Sequence, residues 1–152
     1  MIENVIIRTA KPQDMQAVND LIHELAVYEK AADQHINTAE QLIEDGFGKH
    51  KVFDCIVAEL NKKVIGFALF YTSYSTWKGK CLYLEDFLVT EKLRGQGIGK
   101  LLFDEVYRIA KKRKVGRFEW QVLNWNTPAI NFYKKYNAIL DDEWLNGKIE
   151  FN

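Results

Sequence analysis

A glycine-rich segment in the second half of the chain has the residue types of a phosphate-binding loop. It runs Arg94-Gly95-Gln96-Gly97-Ile98-Gly99-Lys100 and opens a pattern typical of an amphipathic helix. A loop of this kind leaves several backbone N–H groups unpaired, and the first helical turn adds partial positive charge at the same point. Together these features favour a phosphorylated ligand.

The spacing of the glycines excludes two familiar nucleotide motifs. A nucleotide P-loop needs Gly, four residues and then Gly-Lys-Ser/Thr. Here the first of those positions is Arg94, and the residue after Lys100 is Leu101, which cannot hold a metal ion. The dinucleotide fingerprint Gly-x-Gly-x-x-Gly also fails, because Gly95, Gly97 and Gly99 are spaced by two. A glycine-rich turn that merely joins a strand to a helix remains the alternative.

Two adjacent carboxylates, Glu85 and Asp86, lie in the apolar stretch that precedes this loop. A carboxylate can attract a cationic substrate and accept its proton. Strand alternation points the two side chains in opposite directions unless a bulge intervenes. The residues alone leave open whether this is a catalytic pair or an ordinary acidic strand end.

Hydrophobic periodicity predicts the elements that position these residues. Asn61-Lys62-Lys63 should join two strands as an antiparallel hairpin, Thr38 and Gln41 form a capping box, and Asn137 is a left-handed helix cap. The predicted strands are Val5–Arg8, Val52–Leu60, Val64–Ser73, Cys81–Thr90, Arg117–Leu123, Ile139–Leu140 and Lys148–Phe151. The predicted helices are Met15–Tyr28, Thr38–Asp45, one after the glycine loop with the apolar face Ile98, Leu101, Leu102, Val106, Ile109 and Ala110, and one capped by Thr127-Pro128 that carries Ile130, Phe132, Tyr133 and Tyr136. This order, β-α-α-β-β-β-α-β-α-β-β, predicts an α/β fold with one mixed sheet and helices on both faces.

Composition restricts the classes of function. The chain has 152 residues, which predicts a single domain spanning 1–152, and 47% of them are apolar, which favours a dense core. With 21 basic and 21 acidic residues, the net charge gives no reason to expect nucleic acid or an anionic membrane as a partner. Cys55 and Cys81 lie in strand patterns and indicate buried thiols. Since Met1–Asn4 shows no leader pattern, we expect a cytoplasmic protein.

Several segments together resemble the GNAT N-acetyltransferase superfamily, and within it the spermidine/spermine (diamine) and thialysine acetyltransferase branch. The glycine loop has the superfamily's form Arg/Gln-x-x-Gly-x-Gly/Ala. More specific to the branch are Tyr83-Leu84-Glu85-Asp86-Phe87, Glu44-Asp45-Gly46-Phe47-Gly48 and the segment from Asn126 to Tyr133. The resemblance extends from about Val5 to Ala138. It implies the GNAT fold, with a mostly antiparallel mixed sheet, and a homodimer.

The resemblance also implies how acetyl would pass from acetyl-CoA to an amine. Alkyl amines have a pKa near ~10.4, so only on the order of one in 10³ is neutral at pH 7. Glu85 would therefore accept the amine's proton, with Asp86 as a possible partner. Tyr133 would be the acid for the leaving thiolate, although the helical pattern alone favours a core aromatic there.

Donor binding would involve three groups of residues. The loop would hold the coenzyme A pyrophosphate, and backbone N–H groups near Phe87 to Val89 would polarise the carbonyl. Other contacts are implied by the resemblance alone. The cofactor set is Phe87, Leu88, Val89, Arg94, Gly95, Gln96, Gly97, Ile98, Gly99, Lys100, Asn126, Pro128 and Ala129.

The implied acceptor pocket is anionic and suits a polyamine or a lysine-like amine such as thialysine. Its residues are Tyr28, Glu29, Glu85, Asp86, Glu119, Trp120 and Gln121, and Asp141, Asp142 and Glu143 could extend it. Trp77, Trp120, Trp125 and Trp144 could add cation–π walls or serve only in packing.

Two other functions and one other mechanism stay open. They are acetylation of a protein lysine or N-terminus, a non-catalytic acyl-CoA-binding regulatory module, and an acetyl-enzyme on Cys81. His23, His35 and His50 have no metal-ligand spacing, so no metal is expected.

Overall fold

The computed structural model describes residues 3–151, so Met1, Ile2 and Asn152 lie outside it. The chain divides into two compact units, the first ending at Trp120 and the second beginning at Gln121. The first unit contains β1 Ile6–Thr9, α1 Met15–Tyr28, α2 Ala39–Phe47, β2 Asp54–Leu60, β3 Lys63–Ser75, β4 Gly79–Val89, α3 Ile98–Lys112 and β5 Arg117–Trp120. The second contains α4 Thr127–Lys134. No helix among these residues is long and apolar enough to cross a membrane.

The first unit is built on a five-stranded mixed sheet in the order β1-β2-β3-β4-β5. The first four strands are antiparallel, and β5 pairs with β4 in parallel. On one face, Met15, Val18 and Leu21 of α1 join a buried cluster with strand residues such as Phe67 and Leu69. The predicted α/β fold with helices on both faces is confirmed.

Helix α3 covers the opposite face at close range. A Cβ built on Gly66 of β3 would lie 3.2 Å from Leu102 Cδ1 and 2.9 Å from the Leu88 carbonyl oxygen. Only a residue without a side chain lets the helix approach the sheet so closely. This approach sets the start of α3, and with it the glycine loop, beside the end of β4.

Local signals account for several element boundaries. Asn61 and Lys62 both have positive φ, 50° and 65°, which is the conformation of the two-residue turn that suits a hairpin. Thr38 Oγ1 accepts a hydrogen bond from the Gln41 N–H at 3.1 Å, whereas the Gln41 side chain bonds Asp45 instead of closing the capping box. Asn137 has φ 57°, so the predicted left-handed residue is confirmed.

Other predicted boundaries were wrong. β5 ends at Trp120, not Leu123, and no strand occurs between 121 and 151. A short strand needs a neighbour to pair with, and Ile139 and Ile149 instead remain 94% and 82% exposed.

Three helix predictions also need correction. The cap of α4 is Asn126, whose side chain accepts from the Ala129 N–H, and not Thr127-Pro128. Leu101 is 43% exposed because it falls outside the buried stripe of α3, which includes Phe103. The second helix continues past the predicted Asp45 through Gly46 and Phe47.

Candidate active site

The glycine loop presents a row of unused backbone donors. Gly95 and Gly97 have φ of 77° and 87°, a left-handed conformation that L side chains rarely adopt. Gly97 is the residue before α3, and the first helical bond is donated by the Leu101 N–H to the Gly97 carbonyl at 3.2 Å. Among residues 3–151, the N–H groups of 95–100 make no hydrogen bond. A diphosphate needs such a cradle, so the loop fits the coenzyme A pyrophosphate.

Arg94 shapes the loop from inside the protein. Its Nε donates to the Val89 carbonyl at 2.8 Å, its Nη2 lies 3.3 Å from Glu24 Oε1, and its guanidinium stacks 5.3 Å above the Tyr28 ring. Its own N–H is bonded to the Glu91 carbonyl. The role predicted for Arg94 in donor binding stays a prediction, and the amides that follow it supply backbone donors at the same point.

Glu24 of α1 fixes the approach to this loop. Its carboxylate accepts from the Glu91 N–H at 2.7 Å and from Thr90 Oγ1 at 3.1 Å, besides pairing with Arg94. The helix that carries Tyr28 and Glu29 is thus joined to the segment that leads into the loop. Sequence reasoning missed Glu24, because it lies 66 residues from Thr90 and only the fold brings the two together.

The other residues predicted to bind acetyl-CoA are available to it mainly through their backbone groups. Phe87 packs on Phe103 with ring centroids 5.7 Å apart, and Leu88 belongs to the buried cluster under α1. Pairing between β4 and β5 ends at Leu84 and Trp120, so beyond that point alternate β4 amides face away from β3. The Lys100 side chain is held by Asp104 at 2.6 Å.

A β-bulge at Glu85 brings the two adjacent carboxylates to one side of the sheet. Leu69 pairs with Asp86 and Phe70 pairs with Leu84, so Glu85 is the extra residue of β4. Asp86 lies opposite Leu69, a member of the cluster under α1. Glu85 accepts a hydrogen bond from Tyr71 Oη at 3.0 Å, and Tyr71 packs against the same cluster.

Glu29, at the end of α1, joins Glu85 and Asp86 in an acidic cluster. Burial first, and then the charges of Glu85 and Glu29, raise the pKa of Asp86 to about 7. Burial also raises the pKa of Glu29 above its ordinary value. Three carboxylates held together in this way stabilise a cation placed among them.

Two tyrosines that sequence reasoning missed form a wall beside this cluster. Tyr71 and Tyr83 are cross-strand partners with stacked rings 5.4 Å apart. Burial, followed by the charge of Glu85, raises the pKa of both phenols. Tyr71 lies two residues from Leu69, and Tyr83 lies two residues from Glu85. This spacing is the signal that could have assigned both tyrosines to this face.

The predicted substrate strip on β5 is divided between the two faces. Glu119 pairs with Tyr83, accepts from Ser73 Oγ at 3.4 Å, and pairs with Arg117 at 2.6 Å. Trp120 packs edge-on against Phe103 beneath α3 instead, with ring centroids 5.3 Å apart. Glu119 thus joins the acidic side of the sheet, and Trp120 does not.

The remaining predicted residues belong to the second unit. Tyr133 lies on α4, is 6% exposed, and meets Phe132 edge-on at 5.6 Å. Asn126, Pro128 and Ala129 form the first turn of that helix. Gln121 donates to the Asn146 side chain at 2.9 Å.

The thiols and histidines lie outside this chemistry. Cys81 is completely buried, and burial raises the pKa of Cys55 to about 12. His23 and His35 contact each other through their Nδ1 atoms at 3.2 Å. Over residues 3–151 no three or more His, Cys, Asp or Glu side chains are grouped as metal ligands.

Comparison with known proteins identifies the family. Residues 18–138 match the Acetyltransferase (GNAT) family. The chain belongs to this family. It is an acetyltransferase, and GNAT acetyltransferases use acetyl-CoA as the acyl donor.

Individual relatives agree with this assignment. The chain is 41% identical to the thialysine N-epsilon-acetyltransferase of Bos taurus over 142 residues, which cover 88% of this chain and 84% of that protein. It is 38% identical to the spermidine/spermine N(1)-acetyltransferase-like protein 1 of Homo sapiens, over 88% of this chain and 20% of that much longer protein. A crystal structure of a possible acetyltransferase from Clostridium difficile superposes with a TM-score of 0.79 at 20% identity, covering 99% of this chain and 100% of that one.

Proposed function

We propose that residues 1–152 form one N-acetyltransferase domain that moves acetyl from acetyl-CoA to a primary amine of a small lysine-like molecule or polyamine. The observation that carries this proposal is the acidic cluster of Glu29, Glu85 and Asp86. Two of its members, Glu85 and Asp86, lie at the β4 bulge. Asp86 is four residues before Thr90, where the segment that leads into the glycine loop begins. A cationic amine bound there offsets the mutual repulsion of the three carboxylates.

The chain holds the donor through its main chain. The amides of 95–100 would bind the pyrophosphate, and the β4 backbone from Phe87 to Val89 would polarise the thioester carbonyl. Asn126, Pro128 and Ala129 would complete the contacts. When bound, acetyl-CoA supplies the acetyl group as an activated thioester.

Proton transfer is assigned to Glu85 and Tyr133. Glu85, oriented by Tyr71, takes a proton from the bound ammonium through water, which frees the nitrogen lone pair for attack. The new N–C bond forms as the C–S bond breaks, Tyr133 gives its proton to the sulfur, and the acylated nitrogen then loses its second proton to the Tyr133 phenolate through water. Glu85 then releases its proton to solvent, which returns both residues to their starting states.

A homodimer in the cytoplasm is part of the same proposal. The second unit exposes Trp144, Leu145 and Phe151 by 76%, 97% and 89%, which is apolar surface that a second copy would cover. Light scattering on the purified protein tests this assembly, and a mass of about one chain at micromolar concentration would contradict it.

Thiol release from acetyl-CoA tests the proposed reaction. The acceptors are spermidine, putrescine, thialysine, lysine and a short lysine-containing peptide with a free N-terminus. We expect release with the small amines and little with the peptide. Release with the peptide alone would favour a protein acetyltransferase. Calorimetric binding of coenzyme A with no release from any acceptor would favour a regulatory module.

A further inference from the structure

Charge is distributed unevenly along the acceptor side of the sheet. At the bulge, the acidic cluster of Glu29, Glu85 and Asp86 contains three carboxylates, and no basic group contributes to the pKa of Asp86. On β5, by contrast, Glu119 is paired with Arg117, whose Nε lies 2.6 Å from Glu119 Oε2. One end is therefore anionic and the other presents a cation and an anion side by side. We call Arg117 and Glu119 the β5 charge pair.

The β5 charge pair and the acidic cluster lie on the same face. Glu119 pairs with Tyr83 across the parallel strands, and Glu85 follows Tyr83 by two residues on β4. Both Glu85 and Glu119 act electrostatically on Tyr83, whose pKa is raised first by burial. From strand spacing, the Cα atoms of Glu85 and Glu119 are roughly 8 Å apart.

The Arg117 guanidinium retains capacity for a ligand. It carries five N–H groups, and the contact with Glu119 engages it through Nε. Its side chain remains 46% exposed, whereas that of Glu119 is 30% exposed and also reaches Ser73. A planar guanidinium of this exposure is a group well suited to binding a carboxylate.

We propose that the β5 charge pair recognises the zwitterionic head of an α-amino acid whose terminal amine lies in the acidic cluster. Arg117 binds the α-carboxylate and Glu119 binds the α-ammonium. This inference rests on the proposed function and narrows it, because the acceptor becomes a diamino acid of lysine length and not a polyamine. An extended lysine side chain spans about 6 Å from Cα to nitrogen, as single bonds of about 1.5 Å require.

A polyamine suits this arrangement less well. Its second cation would lie beside the like charge of Arg117, and a polyamine has no carboxylate of its own to offset that charge. Lysine and cadaverine differ only by the α-carboxylate, so this pair of substrates isolates the interaction assigned to Arg117.

The test compares kcat/KM for lysine and cadaverine in three proteins. The wild type should favour lysine by about tenfold or more, as for one carboxylate bound by a guanidinium. Arg117→Gln should lose at least that factor with lysine and change by less than about twofold with cadaverine. Arg108→Gln is the matched control, since Arg108 forms a 2.6 Å ion pair with Glu105 on α3, and it should leave both values unchanged.

Several outcomes would overturn the inference. A wild type that prefers cadaverine or spermidine would do so, as would Arg117→Gln losing activity equally with both acceptors. Lysinamide, which lacks the carboxylate charge, repeats the test on the wild type without relying on a variant, and equal activity with lysine would contradict the role of Arg117. Failure of the proposed function is distinct, because then no amine releases thiol.

Discussion

Asp86 is the residue on which the electrostatics of the site depend most. Its carboxyl is held beside two like charges, and its pKa of about 7 lies well above the ordinary 3.8. The folded protein therefore binds this proton more tightly than the unfolded chain does. It follows that Asp86 favours folding at low pH, and that this contribution is lost as the pH rises from about 4 to 7.

Replacing Asp86 by Asn should stabilise the protein in a pH-dependent way. The neutral amide avoids burying a charge, so the gain should be on the order of 1–3 kcal/mol at pH 8. That corresponds to a Tm about 3–9 °C above that of the wild type. Near pH 4.5 the two Tm values should converge. Calorimetry at both pH values measures the difference, and a gain that is larger at low pH would contradict the assigned pKa.

Removing the Tyr133 hydroxyl should slow acetyl transfer without loosening the donor. Tyr133→Phe should lower kcat by roughly 10² if this phenol protonates the leaving sulfur. The Kd for coenzyme A should stay within about twofold. Tyr136→Phe, three residues later, is the control and should retain normal turnover. Full activity in Tyr133→Phe would remove Tyr133 from the mechanism.

At the scale of single residues, the chemistry that a side chain could perform was predictable from the sequence, whereas its neighbours on other strands were not. Glu85 and Asp86 are adjacent in the sequence, so only a β-bulge was needed to bring both side chains to one face. The register between β3 and β4 shows that bulge. Tyr71 and Glu119 act through neighbours on other strands. Tyr71 bonds Glu85 across a separation of 14 residues, and Glu119 of β5 lies opposite Tyr83 of β4. No local pattern in the chain contains that information.

The elements cooperate through Glu24, which joins α1 to the segment that leads into the glycine loop. The three groups it binds fix where the main chain turns before residue 95. The same helix ends at Tyr28, whose ring lies under Arg94. In the proposed function, Glu24 is therefore a positioning residue for the donor site.

Glu24→Gln should weaken the donor site selectively. It removes the charge that pairs with Arg94 while keeping one acceptor oxygen, so the KM for acetyl-CoA should rise about five- to tenfold and kcat should change by less than about twofold. Asp20→Asn, one turn earlier on α1 and exposed, is the matched control. A variant that lowers Tm but leaves the KM for acetyl-CoA unchanged would assign Glu24 a merely structural role.

Elements with their own local signals were predictable, and those that depend on a neighbour were not. The Asn61–Lys62 turn and the Thr38 cap follow from nearby residues, and both are present. The length of β5 and the two strands predicted after Ala138 depend on pairing with distant segments. Alternation of side chains alone could not supply those partners.

Across the whole molecule, equal numbers of basic and acidic residues leave the acidic cluster as a local feature. The overall charge neither attracts nor repels an amine, so discrimination must come from the few groups described above. The fold class and family could be inferred from the sequence because they rest on motifs and on periodic patterns. The further specificity on β5 could not, because Arg117 has no motif of its own.

The extra residue in β4 is the feature that interrupts the β3–β4 ladder at the acidic cluster. Omitting Glu85 would let Leu84 and Asp86 follow each other opposite Phe70 and Leu69, which restores an uninterrupted ladder. Every later side chain would keep its present partner. A protein shortened by that single codon should melt within a few degrees of the parent yet release no thiol, which circular dichroism and the thiol assay can establish.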